Sequence, residues 1–464
     1  MRRTVAIIGG GFCGTLTAVH LLRTAPPEIQ LRIVLINQSG SMARGLAYGT
    51  HSDLHVLNVP AGNMSALPDE PEHFLRYCRR FQPSTSPADF MARSTYGAYL
   101  ETLLSEEEQR SAPQARLERR VDTVLKLAPT EGGTQLWLQN GKTLLADQVV
   151  LAFGHFPPAD PAAINKQVRA SGRYVRDPWA PEALLAIQPD ESVAVLGSGL
   201  TALDVLIALR QCGHQGATFC LSRRGLRPVM HKAGASQVAL PDAEAVLSPL
   251  KAGARSALRA LRESVEQAAG NGRDWRDILA SLRSHTSSIW HAWPQMERRR
   301  FLRHLQAYWD VHRHRCAPLP GPLLELLETS VHAGRLTHID QCAQGLRLHW
   351  RARGGQQVKT REVAWLINCT GPDCRLRHAD SPLIDGLLKR GVLCPDELEL
   401  GLRVAKDYAC IDIEGRASPT LRYVGPLLKA RDWEATAVPE LRVHARDAAA
   451  HILHALTLKA DHWA

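Results

Sequence analysis

Short apolar runs alternate with amphipathic stretches through much of the chain. Val5-Ala6-Ile7-Ile8, Leu31-Arg32-Ile33-Val34-Leu35-Ile36 and Val149-Val150-Leu151-Ala152-Phe153 have the hydrophobic character of strands buried on both faces, broken only by Arg32. Residues 1–155 therefore read as alternating strands and helices, the last strand running from Gln148 into Gly154-His155. The proline-bearing segment from Pro157 to Pro189 reads as a crossing, and a second unit opens near Ser192 with Val193-Ala194-Val195-Leu196 and then Ala217-Thr218-Phe219-Cys220-Leu221. Between about Asp242 and Ser330, Ala, Leu, Arg, Gln and Glu dominate and β-branched residues thin out, which predicts several helices and no strand. Within that stretch Leu302, Leu305, Trp309 and His312 share one helical face, and Arg299, Arg303, Gln306, Asp310 and Arg313 another. Strand character returns at Leu346–Trp350 and along Val363–Asn368.

Two of the apolar runs end in glycine fingerprints. Gly9-Gly10-Gly11-Phe12-Cys13-Gly14 follows the first, and Gly197-Ser198-Gly199-Leu200-Thr201-Ala202 follows Val193–Leu196. A strand, a tight glycine turn and a helix start bring backbone N–H groups and a helix N-terminus up to a pyrophosphate. One such motif serves packing as readily as binding; two on one chain predict two dinucleotides and electron transfer between them. The fold expected is α/β, with two Rossmann-like dinucleotide-binding domains in a glutathione-reductase-like arrangement and a helical insertion.

Which dinucleotide goes where follows from the end of each unit's second strand. In the second unit that strand runs into Ser222-Arg223-Arg224-Gly225. Arginines there suit the 2′-phosphate of NADPH, while a surface arginine pair is the plainer alternative. In the first unit Asn37 stands where such folds usually carry an acid on the ribose hydroxyls. FAD is the simplest occupant of that unit, since a flavin links a two-electron donor to oxygen chemistry.

Composition changes this picture little. The 464 residues are 45% hydrophobic and 22% charged, enough for two or three domains with ordinary cores. The net charge of +10 comes without a basic block or nucleic-acid module, so it reads as a solvated surface with a basic pocket for anionic cofactors and an acidic substrate. Arg2-Arg3 ahead of an apolar run mimics a secretory leader, but the glycine cluster interrupts that run too early. A cytoplasmic protein with no membrane or nucleic-acid partner is expected by default. The ten cysteines show no Cys-x-x-Cys and no zinc spacing, which argues against a disulfide reductase and against a metal site. Cys369 and Cys374 flank a turn, yet free thiols are the better reading.

Further motifs give the chain a resemblance. Gly45-Leu46-Ala47-Tyr48-Gly49-Thr50 is followed by His55–Ala61 and Met64-Ser65, then by Pro71-Glu72-His73-Phe74 and Arg93–Leu100. Gly199–Asp204 and Ser222–Leu226 follow in the second unit, Arg300–His304 and Trp309–Arg315 in the helical stretch, and Ile367–Pro372 and Trp433–Arg442 near the end. Together these resemble the bacterial FAD/NAD(P)-binding proteins related to class B flavin monooxygenases, whose relatives include amino-acid N-oxygenases. Asn37, Phe153 and Ala430-Arg431 depart from that family's pattern.

The resemblance implies a split first domain, 1–155 with 373–464, holding FAD. An NADPH unit of 190–241 with 331–372 is inserted in it, and that unit in turn carries a helical insertion, 242–330, as substrate domain. It also implies the reaction: NADPH reduces FAD, reduced FAD adds O2 at C4a to form a hydroperoxide, and one oxygen atom passes to a small nucleophile, an amine nitrogen of an amino acid or related amine. No catalytic residue stands out, because such a reaction needs positioning and dryness more than acid–base groups. Two other classes stay open: an NADPH-dependent flavin reductase serving a partner protein, and a nucleotide-binding interaction protein without turnover.

The candidate cofactor-binding residues are Gly9, Gly11, Phe12, Gly14, Asn37, His55, Asn58, Met64, Val121, Ala152, Gly154, Gly425 and Val438 for FAD. For NADPH they are Gly197, Gly199, Thr201, Arg223 and Arg224. Several have plain alternatives. Asn58 caps a turn as readily as it bonds the flavin, His55 and Met64 suit a core, and Val121, taken to begin an apolar stretch, meets adenine or lies in the core. Val438 opens a helix whose N-terminus would face the flavin's N1–C2=O edge. His312, Arg313 and Arg315 are candidates for a substrate carboxylate, or else a solvated basic face; Trp309 with Leu305 reads as core packing.

Overall fold

A computed structural model describes residues 2–50, 52–111, 113–180, 182–232, 243–319 and 321–461. Positions 233–242, where the expected NADPH unit passes into the helical insertion, lie outside the described residues. The chain divides into two units, Met1–His155 with Cys374–Ala464, and Phe156–Asp373.

The first unit is built on a six-stranded sheet. Strands Ala417–Tyr423, Gln148–Leu151, Arg2–Ile8, Gln30–Asn37 and Ala115–Val121 lie parallel in that order, and Ala409–Ile411 adds an antiparallel edge. Its centre is buried on both faces, which explains why Val5, Ala6, Ile7 and Val149–Leu151 read as unbroken apolar runs. Helix Phe12–Thr24 packs against helix Arg93–Ser111 and the C-terminal helix Val438–Asp461. The plain alternation expected for 1–155 misses a separate antiparallel sheet of Val124–Thr130, Gly133–Leu138 and Thr143–Ala146. Gly133–Leu138 and Thr143–Ala146 largely alternate buried and more exposed positions, and Val124–Thr130 buries only Val124 and Leu127, so none carries a continuous apolar run.

The second unit has a seven-stranded sheet. Ser330–Cys342, Thr218–Ser222, Val193–Leu196, Trp365–Asn368 and Tyr174–Val175 pair in parallel, in that order. The long strand Ser330–Cys342 then turns from its parallel partner to pair antiparallel with Gly345–Ala352, which pairs with Val358–Val363. Two sequence expectations need correction. The run Val363–Asn368 is two strands, because Val363 ends the antiparallel edge while Trp365 enters the parallel sheet. The segment from Pro157 to Pro189 is more than a crossing: it holds helix Lys166–Ala170 and the edge strand Tyr174–Val175, and it belongs to the second unit.

Between Thr218–Ser222 and Ser330–Cys342 the chain is helical, from Ala243–Lys251 to Gly321–Leu324. The single amphipathic helix implied by Leu302–His312 is interrupted at Leu305, so that Gln295–His304 and Gln306–Arg313 are separate helices. All ten cysteines are free. Among the described residues no helix is long and apolar enough to cross a membrane.

Candidate dinucleotide sites and an arginine cluster

The two fingerprints fold alike. Gly9 and Gly197 both have φ of +112°, a conformation that a side chain strains. A Cβ at Gly9 would fall 2.5 Å from Ala152 O, and one at Gly197 would run into Cys369 O. The Gly9 N–H donates to Ile36 O at 2.8 Å and the Gly197 N–H to Leu221 O at 2.9 Å. Each turn is thus sewn between two strands. Gly14 lets helix Phe12–Thr24 approach the turn, since its Cβ would run into Gly9 O; the second fingerprint carries buried Ala202 at the corresponding place.

The middle glycines differ. A Cβ at Gly11 would meet only Gly45 Cα, at an ordinary 3.6 Å, and one at Gly199 would meet nothing within 4 Å. Their φ values, −80° and −91°, suit any residue. The protein's own packing therefore does not require glycine at either place. Both are N-cap residues of uncapped helices, Phe12–Thr24 and Leu200–Gln211, whose first-turn N–H groups have no side-chain acceptor. An open, side-chain-free approach to unsatisfied N–H groups is what a pyrophosphate needs, so the residues fit a dinucleotide at each turn.

Around the first turn, Asn37 is tied to the loop. Its Oδ1 accepts from Gly10 N at 3.1 Å, and its Nδ2 donates to Ser39 O at 2.8 Å and Ser41 O at 3.2 Å. Phe12 is half-buried against Tyr96 and Tyr48. Ala152 is buried and closes the turn, its N–H donating to Ile8 O; Gly154 is exposed just beyond it. His55 is buried, with Nδ1 2.8 Å from Thr50 Oγ1 and its carbonyl accepting from Arg93 N. Asn58 is half-buried three residues before the turn Ala61–Asn63, and Met64, directly after that turn, is buried. Val121 does not begin an apolar stretch and is not core: it ends strand Ala115–Val121 opposite Asn37 and is 63% exposed, because that strand is the sheet's edge. Gly425 leaves room for Tyr423, whose hydroxyl donates to Phe153 O and accepts from Leu427 N. Val438 is buried at the start of the C-terminal helix.

In the second unit Thr201 is half-buried in the first turn after Gly199. The arginine pair splits. Arg223 is exposed, whereas Arg224 donates to Arg303 O and His304 O and lies over the Tyr308 ring. Arg224 thereby caps the carbonyl end of helix Gln295–His304, whereas Arg223 faces solvent.

The helical segment gathers more charge than its sequence face suggests. Asp274 caps helix Trp275–Ser281, accepting from Arg276 N at 2.8 Å. Burial opposes ionisation of that carboxyl, but the Arg276 N–H and guanidinium hold it below the usual range. Arg276 also donates from Nε to Met230 O at 3.1 Å. The Met230 segment bridges to Cys316, with Cys316 N donating to Val229 O and His231 N to Cys316 O. This positions Arg315, which is only 8% exposed. Its guanidinium lies 5.9 Å from the Trp275 ring, that of Arg276 4.5 Å, and the His312 ring 5.1 Å edge-on. Burial and the charges of Arg313 and Arg276 push the Arg315 pKa down to about 10, against the pull of Asp274 and Asp277. His312 spends Nδ1 on Tyr308 O, at 2.7 Å. The basic-face alternative therefore fails for Arg315, which is buried. Trp309 is half-buried beside Phe301, not core. Sequence reasoning missed Trp275 and Arg276; the signal was an Asp-Trp-Arg-Asp helix start in a basic segment.

Comparison with known proteins agrees with this architecture. Residues 6–156 match a family described as FAD-NAD(P)-binding. No curated protein matches the sequence. Three solved structures are similar over nearly the whole length. L-lysine 6-monooxygenase from Pseudomonas syringae is 15% identical, with a TM-score of 0.63 over 97% of this chain and 99% of that one. The reduced ornithine hydroxylase from Pseudomonas aeruginosa is 15% identical, at 0.60 over 98% and 100%. The ornithine N-hydroxylase of Kutzneria sp. 744, with reduced FAD, NADP+ and L-ornithine, is 13% identical, at 0.60 over 98% and 99%. The chain has the two-domain dinucleotide-binding fold of these proteins.

Proposed function

We propose that this protein is an FAD- and NADPH-dependent monooxygenase that oxygenates a small nucleophile, an amine nitrogen of an amino acid or related amine. The observation that carries the reading is the pair Gly11 and Gly199, glycines that the protein's packing does not need, each at the uncapped start of a helix. The neighbours named for lysine and ornithine hydroxylation support the reaction class.

In the first unit Gly9, Gly11 and Gly14 with the N-terminus of helix Phe12–Thr24 would hold the FAD pyrophosphate. In the second, Gly197, Gly199 and the N-terminus of helix Leu200–Gln211 would hold that of NADPH, with Arg223 on the 2′-phosphate. FAD, once bound and reduced, supplies the chemistry of oxygen activation. The chain's own part is to bind, to orient and to keep water away. His55 and Asn58 stay attached to the first unit's site as positioning groups, and the Val438 helix start as a source of positive potential.

The test is a panel of amino acids and diamines offered with NADPH and isotopically labelled dioxygen. Incorporation of one labelled oxygen atom into the amine product supports the monooxygenase. NADPH consumption that yields only peroxide, with every amine recovered unchanged, overturns it in favour of a reductase.

A further inference from the structure

Arg315 is a buried cation that the fold does not neutralise. It makes no hydrogen bond or ion pair among the described residues; the Trp275 ring lies 5.9 Å from its guanidinium. Its Nε is sealed from solvent without an acceptor. Buried charges are ordinarily paired, because an unpaired one costs several kcal/mol. Arginine cannot escape by losing its proton at neutral pH, even with the pKa lowered as it is here. The surroundings make the position less favourable still, since Arg276 and Arg313 both repel it.

The site is also constructed. Three separate segments fix it: the bridge of Met230 to Cys316, the Asp274 cap that orients Arg276, and the helix end at Arg313. Trp275 lies beside two guanidiniums and gives the site a flat apolar side. Arg276 and Arg313 add positive charge around Arg315, and Asp274 and Asp277 offset part of it. The planar fork of arginine matches a carboxylate in two parallel hydrogen bonds.

We propose that Arg315, with Arg276 and Trp275, forms a binding site for a single carboxylate group within the helical segment of the second unit. The site stands whether or not the protein oxygenates amines. That this carboxylate belongs to the substrate is an added step, which rests on the monooxygenase reading.

The experiment measures binding of succinate, glutarate and inorganic phosphate to the full-length protein by calorimetry, without NADPH, at fixed ionic strength held with chloride. Arg315→Met and Arg315→Lys are compared with the native chain. Native protein is expected to bind a carboxylate more tightly than phosphate. Arg315→Met should weaken that binding about tenfold or more, and Arg315→Lys should weaken it less. Arg315→Met should melt no lower than native protein, because it removes an unbalanced buried charge. Tighter phosphate binding, unchanged carboxylate affinity in Arg315→Met, or a clear loss of thermal stability in that variant overturns the site. The added step is tested separately by comparing ornithine with putrescine in the labelled-oxygen assay. Carboxylate binding without product from any amine would retire the monooxygenase and keep the site. Equal product from both amines, unchanged in Arg315→Met, would show that the substrate does not use it.

Discussion

The guanidinium of Arg224 donates from Nη2 to the main-chain carbonyl of Arg303 over 2.6 Å, which commits one of two neighbouring arginines to structure. Its neighbour Arg223 points to solvent. Arg223→Ala should therefore raise KM for NADPH roughly tenfold or more, the loss of a charge-assisted phosphate contact, and leave KM for NADH nearly unchanged. Arg224→Ala should instead cost about 1 kcal/mol of stability through the freed carbonyls, with a similar effect on both nucleotides. Steady-state kinetics with the two nucleotides and a urea melt separate the roles; nucleotide discrimination that depends on Arg224 alone would reverse the assignment.

The glycines divide in the same way. Gly9→Ala places a Cβ against Ala152 O at a positive φ and should destabilise the first unit by at least about 2 kcal/mol. Gly11→Ala has room in the protein and an ordinary φ, and should cost about 1 kcal/mol or less. If Gly11 is kept for a pyrophosphate, that stable variant nevertheless purifies with little flavin. Full flavin occupancy in Gly11→Ala, read from its visible absorbance, would remove the main support for the cofactor site.

What the sequence made legible followed from physical continuity. The fingerprints, their strands and the helical stretch are local patterns, and each was readable from its own residues. The three-stranded sheet around Leu127 and Leu136 was not, because its period-two burial is weak and its strands gain definition only by pairing. The break at Ala364 was hidden because a strand of the sheet's antiparallel edge and one of its parallel part abut without a turn. In the arginine cluster, Arg315 was legible with His312 and Arg313 only as a candidate for a substrate carboxylate or as part of a solvated basic face. The partners that matter, Trp275 and Arg276, lie far off in sequence and reach it through the Met230 bridge. Such convergence leaves no periodic trace.

Tyr96 offers a test of packing in the first unit. It is fully buried among Phe12, Tyr48, Phe74 and Tyr99, and its hydroxyl has no hydrogen-bond partner among the described residues. Burial raises its pKa well above the usual phenol value, so the group stays neutral. Tyr96→Phe keeps the ring and removes an unsatisfied polar atom, and should stabilise the flavin-free protein by about 1 kcal/mol. A denaturant melt that instead shows a loss of that size would mean the hydroxyl is satisfied within the fold.

His20 sets a pH dependence. It lies in helix Phe12–Thr24, buried against the C-terminal helix, and desolvation with the nearby Arg23 charge lowers its pKa to about 4. The unfolded chain binds this proton near the ordinary histidine value of about 6.5. Between those two values the unfolded state carries more protons, so stability rises with pH there. The neutral ring's contribution is intact above about 6.5 and is lost as pH falls through about 4, a change on the order of 3 kcal/mol at most. His20→Leu should flatten this part of the stability–pH curve while leaving the arm below pH 4 in place. Urea melts at half-unit pH steps would show it, and a native and a variant curve that stay parallel between pH 4 and 6.5 would assign the slope to another group.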